Sequence, residues 1–210
     1  VVYRTRRALS LPSGGSAETS WTWLPENLAP QGYTVTTSLY EAGALMDRIE
    51  HRIEALRTEP ARPDEFVRVQ GSMFTLGGKP WYFRGINYWP NWIAGYPTLN
   101  HRNRECYDSE IIERDLAWLQ SAGVNVVSAI AGIQPPNPDD PAGYRDQLDF
   151  LDRCLRHGIR CYFTVPYGRA YAGADFARIK DYIEKAGLRD HPAIMCWELA
   201  WEPIEGAWNK

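Results

Sequence analysis

The 210-residue sequence predicts an α/β fold built on parallel strands and preceded by a stretch of β-structure. Three observations carry this. Strand-like and helix-like patterns alternate from Trp81 to the final apolar run. Each helix-like pattern ends on a glycine. The final run, Ile194-Met195-Cys196-Trp197-Glu198-Leu199-Ala200-Trp201-Glu202-Pro203, is apolar enough for a strand buried on both faces, as in a parallel sheet.

The chain opens with two short strand-like segments, Arg7–Leu11 and Ser20–Leu24, around a turn cluster at Pro12–Ser16. Pro30-Gln31-Gly32 is a second turn. Tyr33–Tyr40 is rich in β-formers, with Tyr33, Val35 and Leu39 on one face. Glu41-Ala42-Gly43 then turns the chain. In residues 44–56, Leu45, Ile49, Ile53 and Leu56 fit both helical spacing and one strand face. The strand is the reading adopted. Residues 59–70 are charged and proline-containing and read as a linker.

Phe66–Val69 and Met73–Leu76 flank a turn, and Gly77-Gly78-Lys79-Pro80 makes another. Trp81–Asn87 is a strand. Ile111, Ile112, Leu116 and Leu119 mark a helix ending at Gly123, followed by a strand over Val124–Ile130. Leu148, Leu151 and Leu155 mark a helix ending at Gly158, followed by Ile159–Val165. Phe176, Ile179 and Ile183 mark a helix ending at Gly187, and the final run follows. Glycine at each end fits a left-handed cap. A repeat of about 35–40 residues is that of βα units in a parallel sheet.

Alternation along the final strand puts Cys196, Glu198, Ala200 and Glu202 on one face, and Trp197, Leu199 and Trp201 on the other. Pro203 cannot donate to a ladder, so Glu202 sits at the strand's C-terminal tip. Catalytic groups of parallel α/β proteins lie there. A plain alternative for Glu202 is a solvated loop charge or a helix N-terminal acid. Glu198 reads as a buried carboxylate that needs a partner, and Arg84 is the expected one.

Composition bounds the rest. The 44% hydrophobic and 23% charged content is that of a globular chain. A net charge of −3 gives no footprint for nucleic acid, and no apolar run reaches membrane-spanning length. The first residue is Val1 and no apolar core follows Arg4, Arg6 and Arg7, so the start does not read as a signal peptide and is expected to be processed or cut from a longer chain. Cys106, Cys154, Cys161 and Cys196 show no metal spacing, and no metal or cofactor is expected. The nine Trp and twelve Tyr fit either large cores or flat sugar-stacking surfaces. Asn87, Tyr88, Trp89, Trp92, Tyr96, Tyr144, Tyr167 and Tyr171 fall in the segments after strands, where such a cleft would open.

His191-Pro192-Ala193-Ile194 followed by Trp197-Glu198-Leu199-Ala200-Trp201-Glu202-Pro203 resembles the strand-four signature of clan A glycoside hydrolases, the cellulase-type family five in particular. Arg84-Gly85-Ile86-Asn87 is similar to their first strand. The resemblance covers about residues 71–210 and is specific at strand four. It implies the first half of a (β/α)8 TIM barrel, with the rest supplied by a further segment or a second chain. A four-stranded doubly wound domain is the structural competitor, without a glycine-rich nucleotide motif to support it. Residues 1–58 resemble the C-terminal strands of an immunoglobulin-like β-sandwich that precedes such barrels. The resemblance implies a retaining hydrolase of β-linked glycans, secreted or periplasmic, with Glu202 as general acid/base. It also implies Asn87, Trp89, Trp92, Tyr167 and Trp201 against substrate, and Arg84 and Glu198 in support. The nucleophile would lie beyond Lys210. The family's Asn before the acid is here Trp201, which offers one N–H donor and no acceptor. A non-catalytic carbohydrate-binding or interaction barrel is the competing function.

Overall fold

The computed structural model describes residues 3–24, 32–88, 107–129, 141–165 and 176–198. Its central feature is a four-stranded parallel sheet of β6 (Gly85–Asn87), β7 (Val126–Ala129), β8 (Arg160–Thr164) and β9 (Ile194–Glu198), in sequence order. Helices α1 (Ser109–Ser121), α2 (Pro141–Arg156) and α3 (Phe176–Lys185) connect successive strands. The α/β class and the βα order expected from the sequence are both present. β6 and β8 are shorter than their apolar runs, because among the described residues only part of each of these two runs finds ladder partners. Trp81–Asn87 contributes three residues to the ladder. Residues 199–203 of the last run lie outside the described residues.

Glycine ends all three helices in one way. The Gly123, Gly158 and Gly187 amides bond to the Gln120, Leu155 and Glu184 carbonyls, and the next residue's amide reaches Leu119, Cys154 and Ile183. This is the Schellman pattern, with an apolar pair closing each turn: Val124 on Leu119, Ile159 on Cys154, Leu188 on Ile183. The glycines have φ of 81°, 67° and 66°. A Cβ at Gly187 would meet nothing within 4 Å. Gly187→Ala therefore suffers backbone strain alone and should cost about 1 kcal/mol in a urea titration. At the other end of α1, the Asp108 carboxylate caps the Glu110 and Ile111 amides, both at 3.0 Å.

The helices cover one face of the sheet. Ile112, Leu116 and Leu119 of α1 and Phe150, Leu151 and Cys154 of α2 pack with Val127, Cys161 and Phe163 of the strands. Each such side chain contributes about 1.5–3 kcal/mol by leaving water. In α3 the buried residues are Ile179 and Tyr182, while Phe176, expected on the apolar stripe, is exposed at the helix start.

Two smaller sheets precede this core. β3 (Val67–Gln70), β4 (Met73–Leu76) and β5 (Lys79–Pro80) form the expected double turn. β1 (Gly32–Glu41) and β2 (Ala44–Glu54) form an antiparallel hairpin, which settles residues 44–54 as strand. Ala42 and Gly43 both have positive φ, as a two-residue hairpin turn requires. The strands expected at Arg7–Leu11 and Ser20–Leu24 are absent. Those residues are irregular and, apart from half-buried Trp23, exposed, because no neighbouring strand among the described residues takes up their backbone groups. Only the turn between them forms, through the Gly15 amide on the Pro12 carbonyl at 2.9 Å.

The expected linker is a fixed clamp. Arg57 grips Glu65 with two bonds of 3.0 and 2.8 Å, and also reaches the Glu59 and Pro60 carbonyls. The Arg57 bond holds the Glu65 carboxyl down to about 2, against the opposing effect of burial, with the Arg62 amide also lowering it. The folded value lies below the unfolded one near 4.3. The stabilisation is thus complete above that unfolded value and lost as pH falls through about 2. Glu65→Gln should cost about 1–2 kcal/mol at neutral pH, and its difference from wild type should shrink in acid. An equal difference at all pH values in chemical denaturation would reject the clamp.

Candidate active site

Partners in a parallel ladder share a face, so the register sorts the sheet into two surfaces. The helix-facing surface is apolar; on it Trp197 meets Phe163 edge-on, with ring centroids 5.6 Å apart. The opposite surface carries Asn87, Ser128, Tyr162, Thr164, Cys196 and Glu198, with Arg160 toward the strand starts. Its polar character at the C-terminal ends of the strands marks where parallel α/β proteins bind ligands.

Thr164 and Glu198 are register partners, and the Thr164 hydroxyl donates to the Glu198 carboxylate. The bond orients that carboxylate across the sheet from β8. Burial, then the negative Glu198, raises the Cys196 thiol to about 11. This thiol stays protonated and is a poor nucleophile at neutral pH. Tyr162 is shifted upward by burial, then by Glu198 and Cys196. Glu198 thus sets the electrostatics of this surface. Among the described residues, no group of three His, Cys, Asp or Glu side chains stands ready for a metal ion.

Asn87 lies at the C-terminal tip of β6 and is exposed. Arg84 does not pair with Glu198. Its Nε donates to the Gly123 carbonyl at 2.6 Å, and its amide to Asn125 Oδ1 at 2.6 Å. The reason is register: Arg84 precedes β6 beside Asn125, at the strand starts, whereas Glu198 lies at a strand end three positions across the sheet. Arg84 still supports the sheet, by joining the foot of β6 to the foot of β7.

Tyr88 and Tyr144, expected among the cleft aromatics, are core residues. Tyr88 stacks on Phe150 at 6.1 Å and donates to Asp115 at 3.3 Å; Tyr144 packs on Tyr182 at 5.9 Å. Tyr88 meets residues of α1 and α2, and Tyr144 is itself in the first turns of α2 against Tyr182 of α3, so burial wins. Trp89, Trp92, Tyr96, Tyr167, Tyr171, Trp201 and Glu202 lie outside the described residues. Sequence reasoning missed Thr164 and Tyr162. The signal was available: alternation along β8 puts Arg160, Tyr162 and Thr164 on one face.

No protein-family model matches the chain. The chain is 26% identical over 187 residues to the Arabidopsis thaliana protein named "Putative mannan endo-1,4-beta-mannosidase 4", covering 69% of this chain and 45% of that one. It therefore spans less than half the length of that relative. Among solved structures it overlaps the Glycoside Hydrolase Family 5 Mannosidase from Rhizomucor miehei with a TM-score of 0.46 and 15% identity, over 69% of this chain and 51% of that one. It also overlaps the beta-mannanase from the blue mussel Mytilus edulis with a TM-score of 0.43 and 21% identity, over 66% and 46% of the two chains. The sequence relative agrees with the resemblance to clan A glycoside hydrolases.

Proposed function

We propose that this chain is the N-terminal half of the barrel of a retaining glycoside hydrolase acting on β-mannan. One observation carries the reading. Four parallel strands in sequence order end in β9, and the chain runs from β9 straight into Leu199-Ala200-Trp201-Glu202-Pro203. The similarity to a mannan endo-1,4-beta-mannosidase supports mannan as substrate.

In this reading Glu202 protonates the leaving glycosidic oxygen while a second carboxylate attacks the anomeric carbon. Glu202 then takes a proton from water as the covalent glycosyl-enzyme is hydrolysed. The two carboxyls must stand about 5–5.5 Å apart. Glu198 is not the nucleophile. It lies four residues before Glu202 in the sequence and is held by Thr164. The nucleophile therefore comes from the second half of the barrel. Asn87, Trp89, Trp92, Tyr167 and Trp201 line the sugar path, and the Trp201 indole contributes a flat face with one N–H donor.

The test is reducing-end release from β-1,4-mannan by the complete barrel, with cellulose alongside. Mannan cleavage with retention at the anomeric carbon supports the reading. Binding of either glycan without cleavage identifies a carbohydrate-binding barrel instead.

A further inference from the structure

The chain that leaves the sheet after β6 and returns at α1 is tied down at both ends by a tyrosine on a carboxylate. Tyr88 follows β6 directly, and its amide continues the ladder to the Ser128 carbonyl at 3.3 Å. Its side chain is 5% exposed, stacked on Phe150 of α2 at 6.1 Å and donating to Asp115 of α1 at 3.3 Å. At the return, Tyr107 precedes the α1 cap residue Asp108 and donates to Asp149 of α2. Burial, then the facing carboxylate, pushes both phenols well above their ordinary range, so each stays a donor. Each acceptor also carries a guanidinium: Arg114 on Asp115 at 3.1 Å and Arg153 on Asp149 at 2.7 Å. Packing alone would be served by phenylalanine at either place. A buried hydroxyl needs a partner, and a charged partner makes the bond strong and directional.

Asn87 is the residue that the first anchor controls. β6 gives three residues to the ladder, and among the described residues it pairs on one side only, with β7. Asn87 is exposed at its C-terminal tip, on the polar face of the sheet. The end of a short edge strand frays readily unless side chains hold it. Asn87 and Tyr88 are consecutive and point to opposite faces, so a grip on the helices from one face fixes the direction of Asn87 on the other. We propose that Tyr88 and Tyr107 are positioning residues for glycan binding. Tyr88, through Asp115, holds Asn87 toward the sugar path; Tyr107, through Asp149, holds the return of the chain at α1. The inference rests on the hydrolase reading above and adds groups that act on substrate only through others.

The experiment compares Tyr88→Phe and Tyr107→Phe in the complete protein, by steady-state kinetics on a β-1,4-mannan oligosaccharide and by thermal melting. Phenylalanine keeps the ring and deletes the bond. Each substitution should raise KM about ten-fold, with kcat within about two-fold of wild type. The lost bond lowers the melting midpoint by a few degrees in any case, so KM is the readout that a purely structural role would leave unmoved. Asp115→Asn, which keeps an oxygen acceptor for Tyr88, should hold KM near wild type. Asp115→Leu should match Tyr88→Phe and add nothing to it in the double variant. Wild-type KM in both phenylalanine variants overturns the proposal and leaves two core tyrosines, with the hydrolase reading intact. A wild-type protein that neither cleaves nor binds mannan removes that reading and this inference together. If Tyr88→Phe does not fold, Tyr107→Phe and the two Asp115 variants carry the test.

Discussion

Glu202→Gln in the complete barrel is expected to lower turnover of β-mannan by about 10²–10⁴-fold while leaving glycan affinity near wild type. The amide keeps the size and a hydrogen-bond acceptor but has no proton to give and cannot take one from water. The loss should be smallest for glycosides with an activated leaving group, whose departure needs no proton. Such selective rescue separates loss of the acid from general damage to the site. A rate on mannan within a few-fold of wild type would remove Glu202 from the mechanism, and with it the strongest link between this sequence and hydrolysis.

The largest effect on stability is expected at Arg153. Its guanidinium is 3% exposed and lies between α1 and α2, on Asp149 at 2.7 Å and Glu113 at 2.8 Å. Tyr107 donates to the same Asp149, and His157 meets Glu113 at 2.8 Å. Arg156 extends the network to Glu113 and to Glu54 of the hairpin. Burial opposes the charge on Arg153, but Asp149, Tyr107 and Glu113 together hold it protonated. Glu113 is pushed up by burial and drawn below its ordinary range by His157 and Arg153. Arg153→Met takes the cation from Asp149 and leaves Glu113 with only Arg156 and His157, and should cost about 3–5 kcal/mol. Urea unfolding would read this directly. A loss under about 1 kcal/mol would show that the network behaves as a solvated surface cluster.

The βα repeat was legible because local rules and the fold agree. Gly123, Gly158 and Gly187 were identified as helix ends from position alone, and all three close the same turn. The apolar spacing named Ile112, Leu116 and Leu119 of α1 and Leu151 of α2 among the residues that pack on the sheet, but not Phe150 or Cys154. Turn chemistry placed Ala42-Gly43 and the two turns before β5. Failures came where a residue's role depends on what stands opposite. Arg7–Leu11 has a strand-like composition, but composition supplies no neighbouring strand.

Alternation placed Glu198 and Trp197 on opposite faces before any coordinates did, and the register agrees. The partner of Glu198 was a different matter. Arg84 was the nearest cation by motif, yet Thr164 holds the carboxylate and Arg84 ties the strand feet. The sequence by itself determined the order of elements, where each helix stops, and which faces are polar, because backbone conformation and period are local properties. Only the tertiary structure decided which charges meet, that Arg153 is buried and that Tyr88 and Tyr144 belong to the core. Those outcomes depend on distances between segments far apart in the chain, which strand register and helix packing set together.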